Sequence, residues 1–470
     1  MLRRNFLTGG LAILCANSGV YGLNAQERES GGGAGSFLMG KIREAQALLA
    51  SKPLYARGVR IEKDGSRRVL LAVMDVKTGA VEAVPIRYFR KAVAASSVYT
   101  ITMDHPGWTI TALSGTGMAC VYRVENPENK VVLANRFPSF SPAGVEEIVY
   151  TAPSPGVHAP EMVEEGLAYL DGVIDAAFAE LRASHIGWKF TEQEKLLANA
   201  GSSDLGSDFL HALIKAIVAI EHIDHAEFYD ADPAFLVEKV LVILGANRAK
   251  AFNWSGSSAG AFGLAQFMPE TYASIQRAYP AAKLLYAPIH VVRKNGKRRV
   301  VRGWQEFALA MRNHVNAVKA MACLVDRELN ALLENRRAQA YVAGQALPEE
   351  RQTAEDYGFA SVYALRLWLM ACAAYNSGTG RIPTTIAYHG WQWYRATAGP
   401  QAQLASLRGQ ESFLRAKLRR KTLHPPERRR AKAALQQVQK KLAGLRRATL
   451  PAETRVYLEK ALAGHLFFSP

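Results

Sequence analysis

The sequence predicts an α+β protein: a small β-rich region followed by a larger, mainly α-helical one. Three observations carry this. From about residue 54 to 152, short β-branched and apolar runs are separated by turn signals; VLLAVMDV and AVEAVPIRYF flank a Lys77-Thr78-Gly79 turn, and YTITM, WTITAL and KVVLANRF follow. Beyond TAPSPGVHAP the apolar residues change to helical spacing, beginning with EMVEEGLAYLDGVIDAAFAEL. The chain has 470 residues, 49% hydrophobic and 21% charged, a globular composition too long for one ordinary core.

The elements follow in order. Residues 1–25 read as an export signal, with Arg3-Arg4, an apolar run from Phe6 to Ala16 and then GLNA; RRNFLT is similar to the twin-arginine pattern. The apolar run is short for a bilayer span, and Leu14 is too large for the lipid-attachment site that Cys15 would suggest. An exported, periplasmic protein, soluble or peripheral, is expected. QERESGGGAGS reads as a flexible leader. Residues 26–190 are then a β-rich accessory domain with a connecting helix, and residues 191–466 the helical domain. The β region holds no catalytic constellation, and His105 and His158 read as surface or turn residues.

The helical domain carries the chemistry. In LHALIKAIVAIEHIDH, Leu210, Ile214, Ile217 and Val218 lie 11, 7, 4 and 3 places before Glu221 and share its helix face. A carboxyl on a core-facing stripe loses water, which disfavours its charged form and suits it to proton donation. The plainer reading is a boundary glutamate paired with His225 or a backbone donor. Farther on, GSSAGAFGLAQFMPET sets Gly256, Gly260 and Gly263 among small side chains, so that backbone groups can approach a bulky polar ligand. Gln266 offers a donor and an acceptor there, and Met268 a pliable apolar wall. No Lys precedes the Ser/Thr, which excludes a phosphate-binding P-loop. In ACAAYNSGTGRIP, Tyr375 and Asn376 end a helix that Gly378 and Gly380 can terminate.

These blocks resemble the lytic transglycosylases of the soluble-lytic type, whose fold is goose-type lysozyme-like. That family's pattern is a helix ending in a catalytic Glu, then S-x-x-G-A-x-G-L-x-Q-x-M-P-x-T, then A-Y-N-x-G. Ser257, Gly260, Ala261, Gly263, Leu264, Gln266, Met268, Pro269 and Thr271 match the second block; Ala374, Tyr375, Asn376, Gly378 and Gly380 match the third. Weaker likenesses are Asn316 in HVNAVKAMACLVDREL and the closing LPAETRVYLEKAL, with Pro451, Glu453, Thr454 and Tyr457. The resemblance does not reach the first 190 or so residues. The chain also departs from the pattern. His222 stands where the family has Ser, and 36 positions separate Glu221 from Ser257, a gap that contains a rival acid, Glu238.

The resemblance implies cleavage of the bond between N-acetylmuramic acid and N-acetylglucosamine in peptidoglycan, leaving 1,6-anhydro ends. It makes Glu221 the single acid and base. Tyr375 would hold Glu221 or the substrate's acetamido group, and Ser257, Gly260, Gly263, Gln266, Met268 and Asn376 would bind the glycan strand. No metal or cofactor is expected. A hydrolytic muramidase, with a second carboxylate among Asp224, Asp230 and Asp232, and a non-catalytic wall-binding scaffold are the competing readings.

The charge is local. Of the formal +17, residues 408–447 carry +12 (fourteen Lys or Arg against Glu411 and Glu427), and residues 289–303 carry six basic residues and no acid. The first falls in a helical-hairpin insert, 400–447, with Leu404, Leu407, Leu414 and Leu418 facing Leu435, Val438, Leu442 and Leu445. The second is a β-hairpin turning at Asn295-Gly296. A third insert spans 226–255. The two basic ones point to an anionic partner, which is peptidoglycan stem carboxylates, a wall polymer or a membrane surface, rather than nucleic acid, since no aromatics are interleaved with their cations. Cys120, Cys323 and Cys372 have no metal-binding spacing and read as small core residues, with a Cys323–Cys372 pair as the alternative.

Overall fold

The computed structural model describes residues 34–53, 66–93, 96–103, 107–115, 117–141, 144–184, 186, 206–224, 227–257, 260–294, 297–396, 401–419, 425–446 and 450–468. The export signal, most of the leader, His105 and His225 lie outside these residues. The chain is α+β, as its patterning predicts.

The N-terminal part is an antiparallel five-stranded sheet in the order β3-β2-β1-β6-β7, with β1 Ser66–Asp75, β2 Val81–Val93, β3 Ser96–Met103, β6 Lys130–Ser141 and β7 Gly144–Tyr150. At the β1–β2 turn the Asp75 carboxylate accepts from the amides of Lys77 and Thr78, and Gly79 takes a φ of 68°. Strand β1 is apolar without alternation because both of its faces are covered. Leu70, Ala72 and Met74 pack under helix α1, Ala34–Ser51. Val69, Leu71 and Val73 pack with Ile110, Cys120 and Tyr122 of the separate ribbon formed by β4 Thr109–Ser114 and β5 Val121–Asn126. Helix α1 was not foreseen: its first residues belong to the segment read as a leader.

Helix α2, Pro160–Ala183, begins within a residue of the predicted run. It lies in the same core as the later helices, through Leu170, Ile174, Ala177 and Phe178. Its partner is α5, Pro233–Asn247, which follows the short α4, Glu227–Asp230. The two helices cross where each carries a glycine. A Cβ at Gly166 would stand 1.9 Å from the Leu241 carbonyl oxygen, and one at Gly245 2.7 Å from that of Met162. The expected insert 226–255 thus supplies a core helix.

Helix α5 also joins the sheet to the helical body. Asn247 exchanges hydrogen bonds with the backbone of Thr151 at 2.9 and 2.8 Å, and Gln46 of α1 donates to the Ala246 carbonyl at 3.1 Å. His158 is not an idle turn residue: its Nε2 lies 3.0 Å from Glu238 Oε2 and its ring stacks on Phe235.

Helix α3, Gly206–His222, runs through the helical body, with Leu210, Leu213, Ile214, Ala216, Ile217, Val218 and Ile220 all buried. Around it stand α6 Pro269–Ala278, α7 Trp304–Arg312, α8 His314–Leu333, α9 Arg336–Ala343, α10 Pro348–Asp356, α11 Val362–Ser377, α12 Ile382–His389 and α15 Ala452–Phe468. The closest of these is α15, where Gly464 faces Ala216. Cys323 of α8 and Cys372 of α11 are free and buried, as is Cys120.

Both basic hairpins form. Strands β8 His290–Lys294 and β9 Lys297–Arg302 pair, and the predicted Asn295-Gly296 turn lies outside the described residues. Helices α13 Gln401–Arg419 and α14 Pro425–Arg446 pack chiefly on each other, burying Ala431, Val438 and Leu442. Among the described residues no helix is long and apolar enough to cross a membrane.

Candidate active site

Glu221 occupies the last turn of α3, where the buried helix emerges and its side chain is partly open to solvent. Across from it stand two helices. From α15, the buried Tyr457 donates its hydroxyl to Glu221 Oε1 at 2.9 Å. From α11 come Tyr375 and the buried Cys372, close enough that the charge of Glu221 opposes ionisation of both. Burial pushes the Glu221 carboxyl up to about 7, against the hydrogen bond from Tyr457 and the positive charge of Lys460; the negative charge of Glu453 adds to the rise.

Lys460 is 6% exposed and donates to the Ile223 carbonyl at 2.8 Å, closing the C-terminal end of α3. Burial lowers its pKa, with the acids Asp224, Glu221 and Glu453 opposing. Glu453, Tyr457 and Lys460 are spaced i, i+4, i+7 on α15, so one helix face delivers all three to Glu221. The sequence reading named Glu453 and Tyr457 only as residues of a closing block and did not name Lys460, although the polar i, i+4, i+7 spacing was a usable signal for the face.

The glycine-rich segment folds into a tight loop over the end of α3. Phe262 bridges to Gly256 on one side and Phe267 on the other. Ser257 Oγ accepts from the Ala261 amide, and Gly263, at φ 77°, lies so close to α7 that a Cβ would stand 2.8 Å from the Met311 carbonyl. Two side chains fasten the loop to the acid's surroundings. His222 presents Nε2 to the Leu264 carbonyl at 2.9 Å while its ring stacks on Phe252 at 3.7 Å. Burial holds the His222 pKa down at about 4, so at neutral pH the imidazole is uncharged and Nε2–H donates. The position that departs from the family pattern therefore ties loop to helix.

Tyr375 is the other fastening, and it corrects an expectation. Its hydroxyl donates to the Ala265 carbonyl at 2.6 Å rather than to Glu221, whose hydroxyl partner is Tyr457. A half-buried phenol takes a strong acceptor within its reach, here the loop carbonyl. Gln266 is likewise turned inward: Nε2 donates to the Gly263 carbonyl at 2.8 Å and to Ser255 Oγ at 3.1 Å, at a residue with φ 44°. Its donor function holds the loop. Asn376 Oδ1 accepts from Thr454 at 2.8 Å, linking α11 to α15 beside Glu453. Met268 is partly exposed at the start of α6, and Ser257 is exposed on the loop, as is Gly256. Asn316 is interior, holding the Leu285 amide, Tyr272 and the Ala310 carbonyl.

Other acids are committed elsewhere. Glu238 pairs with His158, Asp232 caps α5 through the Ala234 amide, and Asp224 accepts from the Glu227 amide. Among the described residues no cluster of His, Cys, Asp or Glu could hold a metal ion. The arrangement can therefore perform one-carboxyl proton transfer, donating from a neutral carboxyl and accepting as a carboxylate steadied by Tyr457. No protein-family model matches the chain, and no similar curated protein or solved structure was found, so the likeness to a family rests on the motif residues themselves.

Proposed function

We propose that the protein is a peptidoglycan lytic transglycosylase with a lysozyme-like catalytic domain and Glu221 as its acid and base. The observation that carries this reading is Glu221 itself: a partly open carboxyl raised to about 7, held by Tyr457, next to a glycine-rich loop whose Gly256 and Ser257 are exposed. Glu221 protonates the oxygen joining N-acetylmuramic acid to N-acetylglucosamine as that bond breaks. The substrate's acetamido oxygen stabilises the positive muramic carbon by bonding to it. Glu221, now a carboxylate accepting from Tyr457, takes the proton of the C6 hydroxyl; that oxygen displaces the acetamido group, and the 1,6-anhydro ring closes without water. A muramidase that used a second carboxylate would have to supply it beside Glu221, and the acid whose charge reaches Glu221 is Glu453, an exposed residue at the start of α15.

In this reading the protein acts outside the cytoplasm on glycan strands, and the α13–α14 arm binds an anionic wall polymer or membrane surface. Mass analysis of muropeptides released from purified sacculi tests the chemistry. Anhydro ends are expected; reducing ends would make the protein a muramidase, and no release would make it a scaffold. In the same preparation, a short Gly/Ser bridge in place of the arm should weaken sacculus binding at ~0.1 M salt and change little at ~1 M, where charges are screened beyond about 3 Å.

A further inference from the structure

The β8–β9 hairpin differs from the α13–α14 arm in being rooted against the candidate active-site loop. Gly303 closes its base: with φ 80° it approaches so closely that a Cβ would stand 2.5 Å from the Pro288 carbonyl oxygen and 2.9 Å from the Ile289 amide. The chain on either side of the hairpin is thus held together, and each side carries an aromatic in solvent. Tyr286, before it, is 78% exposed; Trp304, after it, is 41% exposed. Trp304 is not loose. Its ring meets Phe262 of the glycine-rich loop edge-on at 5.7 Å and Phe307 of α7 at 5.5 Å.

Phe262 continues the contact inward. The Arg312 guanidinium lies 6.0 Å from its ring and 5.4 Å from that of Trp254, and donates to the Asn253 carbonyl. One end of the loop is therefore fastened to the catalytic helices through Leu264 and Ala265, and the other is backed by Trp304. A held indole face, open to solvent on the outer side of a glycan-binding loop, is suited to a sugar ring, whose C–H face packs on an aromatic surface. Directly joined to it is a hairpin segment, 289–303, with six Lys or Arg and no acid, of which Arg302 is exposed and adjacent but one to Trp304.

We propose that Trp304 and the β8–β9 hairpin form an outer subsite for the glycan strand, with the indole stacking on a sugar and the cations receiving the carboxylates of the attached stem peptides. This rests on the peptidoglycan reading above and adds where the charged part of the substrate lies. Neither half alone explains the arrangement. A solubilising hairpin does not need an exposed tryptophan at its base, and an uncharged glycan does not need the cations.

Binding, not turnover, tests it. In a Glu221→Gln background, affinity is measured by sedimentation for soluble peptide-bearing glycan strands, for the same strands after carbodiimide amidation of their carboxyls, and for anionic phosphatidylglycerol vesicles. Trp304→Ala should weaken binding to both kinds of strand by about ten-fold, and Trp304→Phe should restore most of it, the loss corresponding to about 1.4 kcal/mol. Replacing Arg298, Arg299 and Arg302 with Gln should cost about ten-fold on untreated strands and less than two-fold on amidated ones. Equal binding by all variants overturns the subsite, as does a hairpin effect seen on vesicles and absent on strands. If the wild-type protein releases no anhydro ends but these losses appear, the catalytic reading fails and the subsite stands. Normal release without the losses has the opposite meaning.

Discussion

The C-terminal end of α3 and the middle of α5 each present one carboxyl on an apolar helix, Glu221 and Glu238, and each is only partly open to solvent. Their neighbours separate them. Glu238 meets an imidazole nitrogen at 3.0 Å, contributed by the segment that leaves the sheet, and the pair helps fasten the two parts of the molecule. Glu221 meets a tyrosine hydroxyl. The one lysine nearby, Lys460, has its ammonium on the Ile223 carbonyl. Burial therefore dominates at Glu221 and keeps a proton available near neutral pH. The contrast teaches that the group facing a carboxyl, more than the helix carrying it, decides whether it is ion-paired or only hydrogen-bonded.

The largest expected effect breaks or confirms the contrast directly. Glu221→Gln should lower the rate of strand cleavage by at least about 10³-fold, because the amide can neither donate nor recover a proton. Glu238→Gln should leave that rate within about three-fold of the parent. Rates on purified sacculi decide it, and a dead Glu238→Gln beside an active Glu221→Gln would reverse the assignment.

A second, smaller effect concerns Tyr457. Tyr457→Phe removes the hydrogen bond that favours the carboxylate, so the Glu221 pKa should rise and the rate fall by about ten- to a hundred-fold. In the parent, kcat/KM should decline as pH rises through about 7; in the variant that decline should move to higher pH. An unmoved limb would show that Tyr457 only packs.

The smallest effect is on stability. Glu221 is raised from 4.5 to about 7 by folding, so its contribution is fully present below pH 4.5 and is lost as pH climbs through about 7. Glu221→Gln should thus gain relative to the parent between pH 5 and pH 8, by on the order of 1–3 kcal/mol. Urea unfolding at the two pH values measures this. A gap that stays the same from pH 5 to pH 8 would mean that the carboxyl is well solvated.

Much of the architecture was legible because it is local. The stripe that placed Leu210, Ile214, Ile217 and Val218 with Glu221 needs only the 3.6-residue period, and all four are buried. The β1–β2 turn, the helix after TAPSPGVHAP and both basic hairpins likewise follow from residues within a few positions of one another. Helix α1 escaped because its start runs on from a glycine-rich leader, and its apolar face has meaning only against the sheet.

The sequence by itself determined that a carboxyl would end a buried helix, that a glycine-rich loop would follow, and that the positive charge would lie on two hairpins. Only the tertiary structure decided the partners. Tyr457 reaches Glu221 from 236 residues away, Tyr375 goes to the Ala265 carbonyl from 110, and His158 claims Glu238 from 80. Periodicity fixes which face a side chain occupies within a turn or two of helix. A buried polar atom takes whichever complementary group the packing of distant helices brings within about 3 Å, and no local pattern encodes that choice.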